Sequence, residues 1–240
     1  MLLAHGLLGD KNEYKDTLAL LADRLEAAGT ASLRIDFCGH GDSTRPLDEF
    51  FLASQIQDLA VAARWLLELG HTELSLLGYS FGAPPVLALA SLYPENVRHC
   101  VLLSPVTDYR RSFVEPNAPW NREHFGRDRL LAGIRGGGLR LEEGYTLSPA
   151  VLTDMLLCDI PALARAASCP ITIFHGDRDR YVAHADSEAL CRLGDSIHLR
   201  TMPGTGHGPT DFATDSMNSP IAQKNLADVA AALRGEVLSA

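Results

Sequence analysis

At 240 residues the chain is long enough for one well-buried core, and α/β domains of this length are commonly single. Its 46% hydrophobic and 21% charged residues suit a soluble globular protein, and no apolar run approaches the roughly 18 residues of a membrane span. A net charge of −9 lacks the basic footprint that nucleic acid demands, so no nucleic-acid partner is expected.

Strand-like and helix-like segments alternate along the chain. Leu2-Leu3-Ala4 is a short apolar stub, and a helical pattern over Asp16–Ala28 stops at Gly29, a natural terminator. A strand over Ala31–Phe37 runs into the polar turn Asp36-Phe37-Cys38-Gly39-His40-Gly41-Asp42-Ser43. A long amphipathic helix follows over Ala53–Leu69, then a strand over Glu73–Gly78, a helix over Gly82–Leu92 and a buried-type strand over Val97–Ser104. Pro170–His175 and Ser196–Met202 read as two further strands, and Pro220–Leu238 as the last helix. Such alternation with short turns specifies a mainly parallel sheet covered by helices on both faces. Between Thr107 and Ala167 the alternation fails, over a stretch carrying Pro116, Pro119, Pro149, Pro161 and the run Gly136-Gly137-Gly138. About 60 residues without a clear strand exceed an ordinary connection. The segment is expected to be a helical cap over residues 107–167, inserted into a core of residues 1–106 and 168–240.

Five cysteines, Cys38, Cys100, Cys158, Cys169 and Cys191, show no Cys-x-x-Cys spacing and fit reduced thiols rather than zinc or redox chemistry. The chain does not open with a basic region and a long apolar stretch, so no signal peptide is read and a cytoplasmic location is expected.

The chemistry begins at Gly78-Tyr79-Ser80-Phe81-Gly82, where Leu74-Ser75-Leu76-Leu77 leads in as a strand and Val86-Leu87-Ala88-Leu89-Ala90 leads out as a helix. Glycine near both sides of a serine permits a tight strand-to-helix turn that holds the hydroxyl above the sheet. A serine hydroxyl is a weak nucleophile near neutral pH and needs a base within reach. Among nine histidines, His207 stands out in the loop Gly204-Thr205-Gly206-His207-Gly208, directly after a strand. His175, His198 and His184 fall at a strand end, within a strand and at a helix start, and read as structural. The base in turn needs an anionic partner. His175-Gly176-Asp177-Arg178-Asp179-Arg180-Tyr181-Val182 offers two carboxylates, and residue chemistry does not choose between Asp177 and Asp179.

Together, His5-Gly6-Leu7-Leu8-Gly9, the Asp36–Ser43 turn, Gly78–Gly82, His175–Val182 and Gly206-His207 resemble the α/β-hydrolase superfamily, with serine, acid and histidine in the order found there. The His-Gly-Leu-Leu-Gly opening and the length of the cap are similar to feruloyl and cinnamoyl esterases and to the serine aminopeptidase and monoacylglycerol lipase groups. This resemblance implies the α/β-hydrolase fold, selects Asp179 over Asp177 as the acid, and places an oxyanion hole at the backbone N–H groups of Leu7 and Phe81. Two features depart from the family pattern. The two antiparallel strands that usually precede the His-Gly strand have no counterpart in the four residues before His5: either translation starts upstream, or the sheet is pared down with Ala31–Phe37 as its exposed edge, which predicts homodimerisation or poor solubility. Pro84-Pro85 also fall early in the helix after Ser80, where proline is tolerated but two together are expected to disturb the helix start.

Between Tyr109 and Arg140 the cap carries Arg110, Arg111, Arg122, Arg127, Arg129, Arg135 and Arg140 against Glu115, Glu123 and Asp128. Such an arginine excess is usually a solvated helical face. It also raises the prospect of substrate contacts from Arg110 and Arg111 to an anionic ester, with Trp120 and Phe125 adding an aromatic wall. The reading is a serine hydrolase that cleaves a carboxylic ester through an acyl-enzyme, with Ser80 as nucleophile, His207 as base and Asp179 as acid, without metal or organic cofactor. The same constellation serves amidases and peptidases, and thioesterases or acyltransferases of biosynthesis; a noncatalytic ligand-binding relative is a further alternative.

Overall fold

The computed structural model describes residues 1–141 and 144–236. The opening stub is a wholly buried strand, β1 (Leu2–Ala4), and it lies inside the sheet. It pairs in parallel with β2 (Leu33–Ile35), Leu2 opposite Leu33, and with β3 (Leu74–Tyr79), Leu2 opposite Leu76. β4 (Val97–Leu103) pairs with β3. A small antiparallel hairpin of β5 (Leu139–Arg140) and β6 (Thr146–Leu147) stands apart. β7 (Ile171–Gly176) and β8 (Ile197–Met202) complete the main sheet, whose order is β2-β1-β3-β4-β7-β8 with every pairing parallel.

Alternate residues of the inner strands face opposite layers, and both layers are apolar. Leu3, Leu77, Val101 and Leu103 meet α1 (Thr17–Ala27) and, across the same face, α9 (Pro220–Leu233). On the other face Leu2, Leu76, Cys100 and Leu102 meet α2 (Leu52–Glu68) and α3 (Ala83–Leu92). Because neither face is wet, these strands read as continuous apolar runs rather than as alternating ones.

Between β4 and β7 the chain forms one wide helical turn (Arg110–Val114) and then α4 (Pro119–His124), α5 (Arg127–Gly136), the hairpin, α6 (Pro149–Leu157) and α7 (Ile160–Ala166). α5 ends where Gly137 takes a left-handed backbone at φ 87°, the usual way to close a helix. α6 and α9 start on serine caps, Ser148 and Ser219, each followed by proline in the first turn. α8 (His184–Cys191) then links β7 to β8.

Several boundaries differ from the sequence expectation. The second strand is three residues long rather than seven, because its flanking amides go elsewhere: Phe37 N–H donates to His5 Nε2 at 3.0 Å and Cys38 N–H to Asp58 at 2.9 Å. It does form a sheet edge, but so short an edge offers few unpaired groups to another chain. The stretch expected to lack strands contains the β5–β6 hairpin, whose two-residue strands leave no readable alternation. Pro84 and Pro85 sit buried in the first turn of α3, where the N–H groups that proline lacks would have no helical partner, and α3 continues unbroken to Leu92. The last helix ends at Leu233, and the end expected at Leu238 lies outside the described residues.

Among the contacts between these helices and the core, one caps a helix. Asp154 of α6 accepts a 2.6 Å hydrogen bond from Leu52 N–H and so caps the N-terminus of α2, where the helix dipole favours an anion. Asp154→Ala is expected to lower the unfolding free energy by about 0.5–2 kcal/mol, the usual cost of losing such a cap. Urea denaturation of the two proteins measures it, and unchanged stability would show that the contact contributes nothing.

Candidate active site

β3 ends at Tyr79 and α3 begins at Ala83, so the chain must reverse direction in three residues. Ser80 sits in that turn with φ 50°, a backbone that side-chain-bearing residues rarely adopt. The turn is this tight because its glycines let other backbone in: a Cβ on Gly78 would lie 2.6 Å from Gly82 O, and one on Gly82 would lie 2.5 Å from His5 O. The residue pattern around Ser80 is therefore a packing requirement between β1, β3 and α3. It leaves Ser80 facing a cavity of about 490 Å³ at the carboxyl ends of the strands.

His207 reaches the same cavity from the loop after β8. Its backbone is held at two points, by Tyr79 Oη–H donating to His207 O at 2.8 Å and by Gly208 N–H donating to Ser104 Oγ at 3.0 Å. Its Nδ1 lies 2.7 Å from Asp179 Oδ2, and its side chain is 17% exposed against 0% for that of Asp179. Asp179 is a fully satisfied carboxylate. Oδ2 also meets His175 Nε2 at 3.1 Å, while Oδ1 accepts from Tyr181 N–H at 2.8 Å and Val182 N–H at 3.0 Å. Burial alone would raise its pKa, but the charges and hydrogen bonds of His207 and His175 hold it well below the usual carboxylate range. Asp177 points elsewhere, accepting from Gly204 N–H at 2.8 Å. No hydrogen bond joins Ser80 to His207, whose Nδ1 is held by Asp179.

The loop after β1 closes the cavity beside Ser80. His5 is buried, its pKa pushed down to about 4 chiefly by that burial, and it is therefore neutral. Its Nε2 accepts from Phe37 N–H, which leaves Nδ1–H to donate to Gly6 O at 2.7 Å. Leu8 N–H donates to His40 Nε2 at 3.2 Å. Between these anchored groups the Leu7 N–H makes no hydrogen bond within the described residues. Phe81 follows Ser80 at the cavity wall.

Of the four residues considered for substrate contact, one lines the cavity. Trp120 does, with its ring 5.4 Å from that of Tyr181. Phe125 is buried behind it against Phe113, with centroids 4.8 Å apart. Arg110 pairs with Glu115 at 2.7 Å, and Arg111 pairs with the buried Asp186 at 2.6 Å, so both guanidinium groups are committed to carboxylates away from the cavity. The arginines at the mouth are Arg178 and Arg180, with Arg180 lying over the Phe212 ring at 5.1 Å. Tyr14, Tyr181 and Phe212, all exposed aromatics, complete the rim. The sequence contains a signal for these residues, since Arg178, Arg180 and Tyr181 are interleaved with the two candidate acids. Residues lining the cavity come from loops distant in sequence, which periodicity does not connect. Among the described residues, no group of three or more His, Cys, Asp or Glu could hold a metal ion, and no helix is long and apolar enough to cross a membrane. All five cysteines are unpaired.

Residues 1–131 match the family model of the alpha/beta hydrolase fold. The chain belongs to that family. A monoacylglycerol lipase of Mycolicibacterium smegmatis is 26% identical to this α/β-hydrolase over 239 residues, covering 86% of this chain and 80% of the lipase. Est1E from Butyrivibrio proteoclasticus with ferulic acid bound matches with a TM-score of 0.76 at 20% identity, covering 98% of this chain and 86% of Est1E. A monoacylglycerol lipase of Paleococcus ferrophilus matches with a TM-score of 0.72 at 17% identity, covering 98% and 93% of the two chains. These structural likenesses establish the fold, including the mainly parallel sheet with helices on both faces.

The electrostatics of His207 in this α/β-hydrolase are directly measurable. Burial pulls its pKa down, but the charge and hydrogen bond of Asp179, with a smaller pull from Glu13, hold it above the ordinary 6.5. In a histidine NMR titration, the His207 ring is expected to change protonation with a midpoint above 6.5. In Asp179→Asn the midpoint is expected to fall below it, because burial then prevails. A wild-type midpoint at or below 6.5 would contradict this electrostatic balance.

Proposed function

We propose that this protein is a serine hydrolase that cleaves a carboxylic ester through an acyl-enzyme intermediate, with Ser80 as nucleophile, His207 as base and Asp179 as the acid that orients it. The observation that carries this reading is the 2.7 Å contact between Asp179 and His207, opening onto the same cavity as a serine held at positive φ. Asp179 keeps the proton of neutral His207 on Nδ1 and leaves Nε2 free to take the proton of Ser80. Ser80 Oγ then attacks the ester carbonyl, and the oxygen that becomes negative is received by Leu7 N–H and Phe81 N–H. His207 passes its proton to the departing alcohol. Water, deprotonated by the same imidazole, attacks the acyl-enzyme and releases the acid. Both steps draw on side chains and main-chain amides of this chain.

The likenesses to two monoacylglycerol lipases, and to Est1E with ferulic acid bound, support an ester substrate. The cavity agrees with it. Its walls include Phe81, Val106, Phe113 and Trp120 with Tyr14, Tyr181 and Phe212 at the rim, and its volume suits a small or medium-sized acyl group. We assign the cap role to residues 107–167, since Phe113 and Trp120 come from that segment and form the wall facing Ser80.

Labelling with a fluorescent fluorophosphonate and hydrolysis of a short-chain nitrophenyl ester test the reading together. Wild type should label and turn over, and Ser80→Ala should do neither. The acid limb of the kcat/KM profile should lie above pH 6.5, because His207 serves as a base only when neutral and its pKa is raised. A well-folded wild type that fails to label would overturn the assignment of Ser80 and favour a noncatalytic binding role.

A further inference from the structure

Glu13 is a carboxylate at the cavity that the chemistry above leaves unused. It lies in the loop between β1 and α1, where Leu8, Glu13, Lys15 and Asp16 all hold positive φ without being glycine. Glu13 itself has φ 63° and ψ 173°, a region that residues other than glycine rarely occupy and that persists only where the surroundings enforce it. What this backbone achieves is the placement of the carboxylate. Oε2 accepts a 2.6 Å hydrogen bond from Gly6 N–H, and Oε1 accepts one of 3.1 Å from Tyr14 N–H. Gly9 makes room for it, since a Cβ there would lie 2.8 Å from Oε2.

The location of Gly6 gives that contact its significance. A Cβ on Gly6 would lie 3.0 Å from Ser80 Cβ, so this backbone abuts the nucleophile. The peptide that follows carries Gly6 C=O on one side and Leu7 N–H on the other, and because it is planar, fixing one fixes the direction of the other. His5 holds the carbonyl, His40 holds the next amide at Leu8, and Glu13 holds the preceding amide at Gly6. Leu7 N–H alone in this run has no partner within the described residues. We propose that Glu13 is a positioning residue for acyl transfer: its carboxylate anchors Gly6 so that the Leu7 amide stays aimed at the carbonyl oxygen of the substrate. The proposal rests on Ser80 being the nucleophile.

The test compares wild type, Glu13→Ala, Glu13→Gln and Gly9→Ala in nitrophenyl ester hydrolysis, with active sites counted by fluorophosphonate labelling taken to completion. An interaction realised in the transition state lowers kcat and leaves KM unchanged. Because losing an oxyanion donor outright costs about 100- to 1,000-fold, a displaced one is expected to lower kcat per titrated site by about 10- to 100-fold in Glu13→Ala. Glu13→Gln keeps an acceptor for Gly6 N–H and should recover most of that loss. Gly9→Ala leaves Glu13 in place but pushes its carboxylate aside, and should reproduce the kcat defect even if Glu13→Ala does not fold. A purely structural role would lower the melting temperature and the number of titratable sites without changing turnover per site. Turnover per site within twofold of wild type in Glu13→Ala and Gly9→Ala overturns the proposal, as does a Glu13→Gln protein as impaired as Glu13→Ala. If wild type itself does not label, the Ser80 reading has failed and this proposal falls with it; if wild type labels and the variants keep full turnover per site, only the role of Glu13 is lost.

Discussion

The turn at Ser80 constrains everything around it. Three residues reverse the chain from β3 into α3, and they succeed only because the glycine at either side admits backbone to within about 2.5 Å of where a Cβ would stand. The intruding atoms on one side are the carbonyls that end β1, so the turn and the β1 loop are built against one another. A side chain at Gly82 would separate them, moving Ser80 from the loop that carries Leu7. The strain of a left-handed serine is held by a fully buried β3 and by apolar helix packing beyond it, which is how proteins keep an unfavourable backbone at a site of use.

Around that turn, the polar side chains form two buried clusters. Asp179 gathers His207, His175 and two backbone amides, and because each acceptor site on its carboxylate is filled, the negative charge is tolerated with no exposure to water. In the second cluster, His5 and His40 are kept neutral by burial and act through fixed tautomers, each accepting a backbone N–H on one ring nitrogen. One cluster fixes a charge and the other fixes dipoles. Both hold polar groups in fixed orientations.

Much of this architecture was legible in the sequence. Inner strands announce themselves where both faces are apolar, as over residues 100–103, and Gly78-Tyr79-Ser80-Phe81-Gly82 is readable because the glycines answer to sterics at fixed offsets. The choice of Asp179 needed family resemblance, since Asp177 is chemically identical and only the fold shows it turned toward Gly204. The hairpin β5–β6 and the true length of β2 were not legible. Two-residue strands have no period, and β2 stops where side chains of His5 and Asp58 capture its amides, a competition between residues that lie 20 or more positions apart. The arginines of residues 107–167 show a different limit: composition registers an excess of charge but not its partners, which for Arg110 and Arg111 are Glu115 and the buried Asp186.

The cavity itself divides its duties by origin. Leu7, Ser80, Tyr181 and His207 line it from the carboxyl ends of β1, β3, β7 and β8, where parallel strands converge and their loops share one crevice. Their positions are set by ladder pairings and glycine contacts that tolerate little change. Phe113 and Trp120, by contrast, come from helical turns between β4 and β7 that meet the core through side-chain contacts such as Asp154 with Leu52 and Asp186 with Arg111. Both wall residues also touch the strand-end loops, Phe113 packing on Phe81 with centroids 5.9 Å apart and Trp120 N–H donating to Arg180 O at 3.3 Å, so the wall is keyed to the turn after β3 and to the loop after β7.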